Sequence, residues 1–264
     1  MFCRSIFNLV LPLGLTSCFL FGQQPGDARP KRDAQAIEIL DRVVQTVGGA
    51  QALASVHDIA ESGEITFYWG KDVKGPVTIR ALGGNHFRME ADLPESKKTW
   101  VVRNGTGSKT EGQRTVPMTD DSAANLENLT YPISHVAAAL ADFTADVSFV
   151  GIEKQEDRSV YRVRVKGQLG LRSNAGQNAP IVKDLLIDAL TFDVVSVEDR
   201  PFPNRADRSH DTPSRAIEYG DFRVVNGVRI PFSISTRLMG QKTLSIALSE
   251  VTFNSNLSDQ DFSR

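Results

Sequence analysis

The sequence predicts a mainly β protein of the α+β class: one strongly curved antiparallel sheet with an N-terminal helix and a short helical insertion. Three observations carry this. From Asp58 onward apolar residues alternate with polar ones, as in strands with one buried and one wet face. The alternating runs are short and separated by turn residues. Roughly ten to twelve such strands in one sheet must curl, because strand twist accumulates.

The chain opens with an export signal over residues 1–22. Arg4 supplies the positive region, Ile6 to Phe21 the apolar stretch, and Gln23-Gln24-Pro25-Gly26-Asp27 turns abruptly polar. This places the working protein outside the cytoplasm. Both cysteines, Cys3 and Cys18, lie inside this segment. The mature domain therefore has no disulfide, no thiolate nucleophile and no cysteine metal ligand. Leu15-Thr16-Ser17-Cys18 resembles a bacterial lipobox, which would anchor the protein through Cys18, but Phe19-Leu20-Phe21 prolongs the apolar run beyond it. Ordinary cleavage near Gly22-Gln23 is the competing reading.

Residues 23–32, with Pro25, Gly26 and Pro30, form a linker, and residues 33–264 a single domain. Ala36, Ile37, Leu40, Val43, Val44 and Val47 recur at helical spacing behind Asp33, a good N-cap, and Gly48-Gly49 ends the helix. A helical turn follows over Ala50 to Val56. Ile59, Gly63, Ile65, Phe67 and Trp69 then share one strand face. Val77, Ile79 and Ala81 continue the pattern, and Phe87, Met89, Ala91 and Leu93 follow after the Gly83-Gly84-Asn85 hairpin. Trp100 and Val102 lie on a fourth strand, which Asn104-Gly105 turns into a fifth.

The alternation breaks at Pro117. Residues 118–131 read as a loop with a weak helical piece, and Ser134 caps a short alanine-rich helix from His135 to Phe143. Strands resume at Val147. Tyr161, Val163 and Val165 alternate with Arg162, Arg164 and Lys166; Leu185, Ile187 and Ala189 open a strand leading into 191–199. Residues 168–181 and 200–214 are long polar loops. Asn226-Gly227 makes the clearest hairpin, and Leu244 to Phe253 the last strand.

A composition of 41% hydrophobic and 23% charged residues is that of a folded globular domain, and about 240 mature residues can bury a sizeable core. The formal net charge is −2, and loss of Arg4 makes it −3, so no electrostatic attraction to nucleic acid is expected.

No catalytic constellation is visible. The four histidines, His57, His86, His135 and His210, are not at metal-ligand spacing, and His86 falls on a wet strand face. No Gly-x-Ser-x-Gly elbow is present, and Asn104-Gly-Thr-Gly-Ser-Lys-Thr110 lacks both the first glycine and the strand-to-helix setting of a phosphate loop. The acidic runs at Asp120-Asp121, Glu153 to Asp157 and Asp188 to Asp199 read as solvated charge, as do Arg162, Arg164 and Lys166 and the loop residues Arg200, Arg205, Arg208 and Arg215. The basic groups could instead meet anionic headgroups or a partner protein. No metal, cofactor or catalytic residue is expected.

The apolar face is the remaining candidate. Phe67, Trp69, Phe87, Met89, Trp100, Phe149, Tyr161, Phe192, Phe222 and Phe232 either line a hydrophobic cavity or simply form the core, and alternation alone does not separate the two.

Two stretches resemble a known family. One is Ile39-Leu40 through Val47-Gly48-Gly49, with Leu53, Val56 and Gly63. The other comprises Tyr219-Gly-Asp-Phe, Val225-Asn-Gly-Val-Arg-Ile-Pro231 and the ending Val251-Thr-Phe-Asn-Ser-Asn-Leu-Ser-Asp-Gln-Asp-Phe262. Together they resemble the LolA/LolB-like superfamily of outer-membrane lipoprotein-sorting proteins and RseB-type sensors. The resemblance implies a half-open barrel closed by helices, with a hydrophobic hollow for acyl chains. The cavity candidates are then Ile65, Phe67, Trp69, Phe87, Met89, Trp100, Phe149, Tyr161, Leu185 and Ile187, and the helix at 134–143 becomes a lid or plug through Val136, Leu140 and Phe143. The two long loops are additions to the family pattern.

Three functions follow as expectations. The first is an envelope protein that holds a lipid, a lipoprotein acyl chain or another amphipathic ligand, with peripheral membrane association possible and another envelope protein as a further partner. The second is an interaction or sensor module with a filled core. The third is a hydrolase with an unrecognised site.

Overall fold

The computed structural model describes residues 30–118, 123, 126, 129–130, 132–167, 181–199 and 214–263. The export signal, most of the linker, both long polar loops, Asp120-Asp121, His210 and the arginines at 200, 205 and 208 lie outside these residues.

Two helices come first: α1 (Ala34–Val47) and the short α2 (Gly49–Ala54). The Asp33 carboxylate accepts the Gln35 N–H at 3.0 Å, which satisfies one of the four N–H groups that a helix start leaves unpaired. Ala36, Ile39, Leu40, Val43 and Val47 form the buried stripe of α1.

Thirteen strands follow in a single sheet, one more than expected. The first six are β1 (Asp58–Phe67), β2 (Val73–Leu82), β3 (His86–Asp92), β4 (Lys97–Arg103), β5 (Thr106–Glu111) and β6 (Arg114–Pro117). Helix α3 (Ile133–Ala141) interrupts them. The remaining seven are β7 (Asp146–Gln155), β8 (Arg158–Gly167), β9 (Ile181–Asp188), β10 (Val194–Asp199), β11 (Arg215–Val225), β12 (Val228–Leu238) and β13 (Gln241–Phe253). The order is β6-β5-β4-β3-β2-β1-β13-β12-β11-β10-β9-β8-β7, antiparallel throughout. Two meanders are thus joined where the first strand pairs with the last, Ile65 opposite Ile246 and Phe67 opposite Leu244. The edge strands β6 and β7 are not paired with each other, so the curved sheet is a half-open barrel.

The alternating apolar residues turn to one face. Ile65, Ile79, Met89, Val102, Leu185, Ile187, Ile217, Ile234 and Ile246 are all buried there, in one cluster with α1 and α3. Helix α1 packs against α3, β7 and β12. Asn226 and Gly227, at φ 48° and 83°, form the left-handed two-residue turn that the β11–β12 hairpin needs.

Several local expectations need correction. Helix α3 starts at Ile133 with Pro132, not Ser134, at the N-cap position, where proline's fixed φ suits a helix entry. The run 185–199 is two strands, because the Asp188 carboxylate accepts the Leu190 and Thr191 N–H groups and turns the chain. Trp69 lies beyond the end of β1 and is 76% exposed.

His86 is not on a wet face. Its ring lies 5.3 Å from that of Phe262, in the short 3₁₀ helix Asp259–Phe262, which packs on β3 and β4. The buried Asp58 carboxylate fastens this ending by accepting the Ser255 and Leu257 N–H groups. Arg215 is not in a loop: it opens β11 and is buried. The Arg162 and Arg164 stripe is occupied by ion pairs, with Arg162 bound to Glu153, Asp184 and Glu198 and Arg164 to Asp184. These carboxylates hold Arg162 charged at any ordinary pH.

Candidate functional site

The site lies where β1, β2, β4 and β13 reach one end of the sheet. Phe67 closes β1, Val73 opens β2 opposite it, and Leu244 flanks it on β13. The Phe67 and Trp100 rings stack with centroids 6.1 Å apart and planes at 27°. With Trp69, Val73 and Leu93 they wall a cleft of about 500 Å³. That size is within the range of small-molecule sites.

The rim of this cleft is cationic. Lys71, Lys98 and Lys109 line it alongside Glu95 and Ser96. The Lys98 ammonium lies 5.9 Å from the Phe67 ring centre and Lys109 lies 5.7 Å from that of Trp100, so their stems lengthen the apolar wall. Both lysines also reach Glu111, at 3.1 and 3.4 Å, and hydrogen bonding from Lys98 holds that carboxyl below its ordinary range.

Phe67 and Trp69 have a second side. There they share a smaller pocket of about 180 Å³ with Leu129, Arg215, Ile217, Thr236, Thr243 and Leu244. The cleft and the pocket thus flank a common aromatic wall. The arrangement can hold an apolar chain against rings and offer cations to an anionic end.

Helix α3 seats on a buried polar layer beside the pocket. His135 Nδ1 lies 3.3 Å from Lys183 Nζ. Burial first, then the charges of Lys183 and Arg215, push the imidazole pKa well below its ordinary value, so His135 is neutral. Arg215 forms a two-point ion pair with Asp199, its Nε donating at 2.9 Å. Tyr219 is buried nearby, and burial raises its hydroxyl pKa.

The ten cavity candidates divide three ways. Phe67, Trp69 and Trp100 line the cleft. Ile65, Phe87, Met89, Leu185 and Ile187 are packed into the core with at most 2% exposure. Phe149 and Tyr161 join Phe192 in a separate aromatic group, with centroids 6.2 and 6.0 Å apart, where Arg42 of α1 covers Phe192. Of the helix candidates, Val136 is fully buried, Leu140 is half-buried and Phe143 is 76% exposed.

Sequence reasoning missed Val73 because it sits at a strand end, placed Leu93 on the apolar face without naming it a cavity candidate, and missed Thr236 because a threonine in an apolar alternation reads as a wet position. Lys98 and Lys109 carry no signal beyond ordinary surface charge. Among the described residues no group of His, Cys, Asp and Glu side chains could hold a metal ion, and no helix is long and apolar enough to cross a membrane.

No protein-family model and no curated protein matches the chain. Solved structures do. An outer-membrane lipoprotein-sorting protein domain from Vibrio parahaemolyticus is 10% identical, with a TM-score of 0.51 over 87% of this chain and 96% of that one. A DUF1329 family protein from Desulfovibrio piger is 9% identical, with a TM-score of 0.52 over the same shares. A LolA superfamily protein from Nitrosomonas europaea is 12% identical, with a TM-score of 0.52 over 87% and 97%. In agreement with the sequence resemblance, the protein has the LolA-superfamily fold.

Proposed function

We propose that the protein is an exported, non-catalytic envelope protein that holds the acyl chain of a lipid or lipoprotein in the cleft at one end of its sheet. The observation that carries this is the 500 Å³ cleft walled by Phe67, Trp69 and Trp100 and rimmed by lysines. Each methylene buried there would contribute about 0.8 kcal/mol, so a modest length of chain suffices for useful affinity. The lysines would favour an anionic end in water, at a smaller gain because exposed pairs are screened. The export signal at residues 1–22 and the likeness in fold to lipoprotein-sorting domains support the same reading. Anchoring through Cys18 would place the cleft beside a membrane surface.

The packed interior favours a second reading, the interaction module. Most inward side chains, from Ile65 to Ile187, fill the hollow rather than line it, and Val150 and Ile152 are exposed on the edge strand β7.

The two tryptophans of the chain, Trp69 and Trp100, both line the cleft, so the protein reports on its own site. Titration of the mature protein with palmitoyl lysophosphatidylglycerol below its micelle concentration is expected to give a saturable blue shift of tryptophan emission. A flat titration would remove the carrier reading and leave the module.

A further inference from the structure

The smaller pocket has a composition that core packing does not explain. Its walls are apolar (Phe67, Leu129, Ile217 and Leu244), yet three polar side chains line it: Arg215, Thr236 and Thr243, whose hydroxyl donates to the Thr236 carbonyl at 3.2 Å. Thr236 faces inward on β12, and its buried hydroxyl has no hydrogen-bond partner among the described residues. Arg215 is 7% exposed, and Asp199 engages its Nε and Nη2.

The register brings these groups together. Thr236 is opposite Ile217 on β11 and opposite Leu244 on β13, and Leu244 is opposite Phe67 on β1. Arg215 is opposite Leu238, so it is the diagonal neighbour of Thr236, at a spacing of about 7–8 Å that a long side chain spans. A single row thus runs from Arg215 through Thr236 and Leu244 to Phe67, where the larger cleft begins.

We infer that this pocket receives the carbonyl or carboxyl head of the acyl chain. Thr236 and Arg215 are the donors, and the chain runs past Phe67 and Trp69 into the larger cleft. The inference rests on the acyl-carrier reading and names the part of the ligand that is read. A buried donor without a partner carries its full desolvation cost, so an acceptor oxygen gains more here than at the hydrated lysine rim. Arg215 is already neutralised by Asp199, so the pocket takes an ester or amide carbonyl as well as a free carboxylate. It offers nothing to a chain without an acceptor.

The test uses the mature protein with decanoic acid, methyl decanoate and decane, with affinity read from tryptophan emission. Thr236→Val keeps the shape and removes the donor; Arg215→Lys keeps the charge and removes the planar fork. Thermal melts confirm that each variant folds. Thr236→Val is expected to weaken the acid and the ester about tenfold and to leave decane unchanged. Arg215→Lys is expected to weaken the acid more than the ester. An equal loss for all three compounds in Thr236→Val, or no loss for any, would overturn the head subsite while the carrier reading stands. Failure of every compound to bind the unsubstituted protein would overturn both.

Discussion

The guanidinium of Arg32 donates to the carbonyl oxygen of Asp142 at 2.8 Å, tying the chain just before α1 to the end of α3. It also donates to the Ala139 and Leu140 carbonyls at 3.2 Å and lies 5.2 Å from the Phe143 ring centre. These carbonyls have no partner within the helix, and a cation at a helix C-terminus also meets the favourable end of its dipole. Arg32 is itself held by a bridge to Val147 on β7 and by the adjacent Lys31 and Asp33 backbone bonds to the same residue. A nine-residue helix is marginal alone, so this contact should set how readily α3 opens. Arg32→Met is expected to lower the local opening free energy of α3 by about 1–2 kcal/mol. Hydrogen exchange should show faster exchange over residues 135–141 and unchanged protection in β12 and β13. Equal acceleration everywhere would mean that Arg32 supports the whole fold instead.

Two aromatic groups compete for the role of ligand wall, and they respond oppositely to truncation. Trp100 stacks on Phe67 in the cleft, whereas Tyr161 packs between Phe149 and Phe192 away from it. Trp100→Ala is expected to weaken lysolipid binding by about tenfold or more, the loss of one aromatic wall, with a smaller effect on stability. Tyr161→Ala should cost about 2–4 kcal/mol of stability and leave affinity unchanged. Denaturant melts paired with lipid titrations separate the two. A reversed pattern would move the site to the Tyr161 group.

How much of this was legible in the sequence follows from the range of the forces involved. Period-two alternation is local, so it identified Ile65, Phe87 and Met89 as inward-facing, and all are buried. Asp33, Gly48 and Asn226-Gly227 act within a few residues and were legible for that reason. Alternation does not reveal what lies opposite an inward side chain. Phe67 meets an open cleft and Ile65 a filled core, although both fall on the same strand face. His86 lost its wet face to Phe262, which arrives from the far end of the chain. Arg215 borders a long polar stretch and so reads as loop; only pairing with β10 and β12 makes it the start of a strand.

Glu61 carries a pH dependence. It faces inward on β1, opposite Ile79 on β2 and Val251 on β13, and its Oε2 is buried without a hydrogen-bond partner among the described residues. Burial pushes its carboxyl up to about 8. The folded state therefore keeps a proton that the unfolded chain releases above its ordinary value of 4.5. The stability that this group allows is fully present below that value and is lost as pH rises toward about 8, where the folded carboxyl ionises. Glu61→Gln is expected to remove this slope and to stabilise the protein at pH 8 by roughly 2–4 kcal/mol. Urea midpoints from pH 5 to pH 9 test it. Parallel profiles for the two proteins would show that Glu61 has a partner in solution.

Gly48 joins the helical layer to the sheet. It ends α1 at φ 128°, and its N–H donates to the Gln45 carbonyl at 3.2 Å. A Cβ here would lie 2.4 Å from the carbonyl oxygen of Gly227, in the β11–β12 turn. Two costs are thus superimposed: a backbone conformation that side chains avoid, and a collision with main chain that cannot swing aside. The neighbouring Gly49 separates them. It also has positive φ, 84°, but the nearest atom to its added Cβ is the flexible Gln45 Oε1 at 3.7 Å. Gly49→Ala should therefore cost only the backbone strain, about 1–2 kcal/mol, and Gly48→Ala should cost at least about 2 kcal/mol more. Urea denaturation of the two variants measures the difference. Equal losses would mean that the hairpin turn yields to the helix end, and that the packing of α1 on the sheet is softer than the close contact at Gly227 implies.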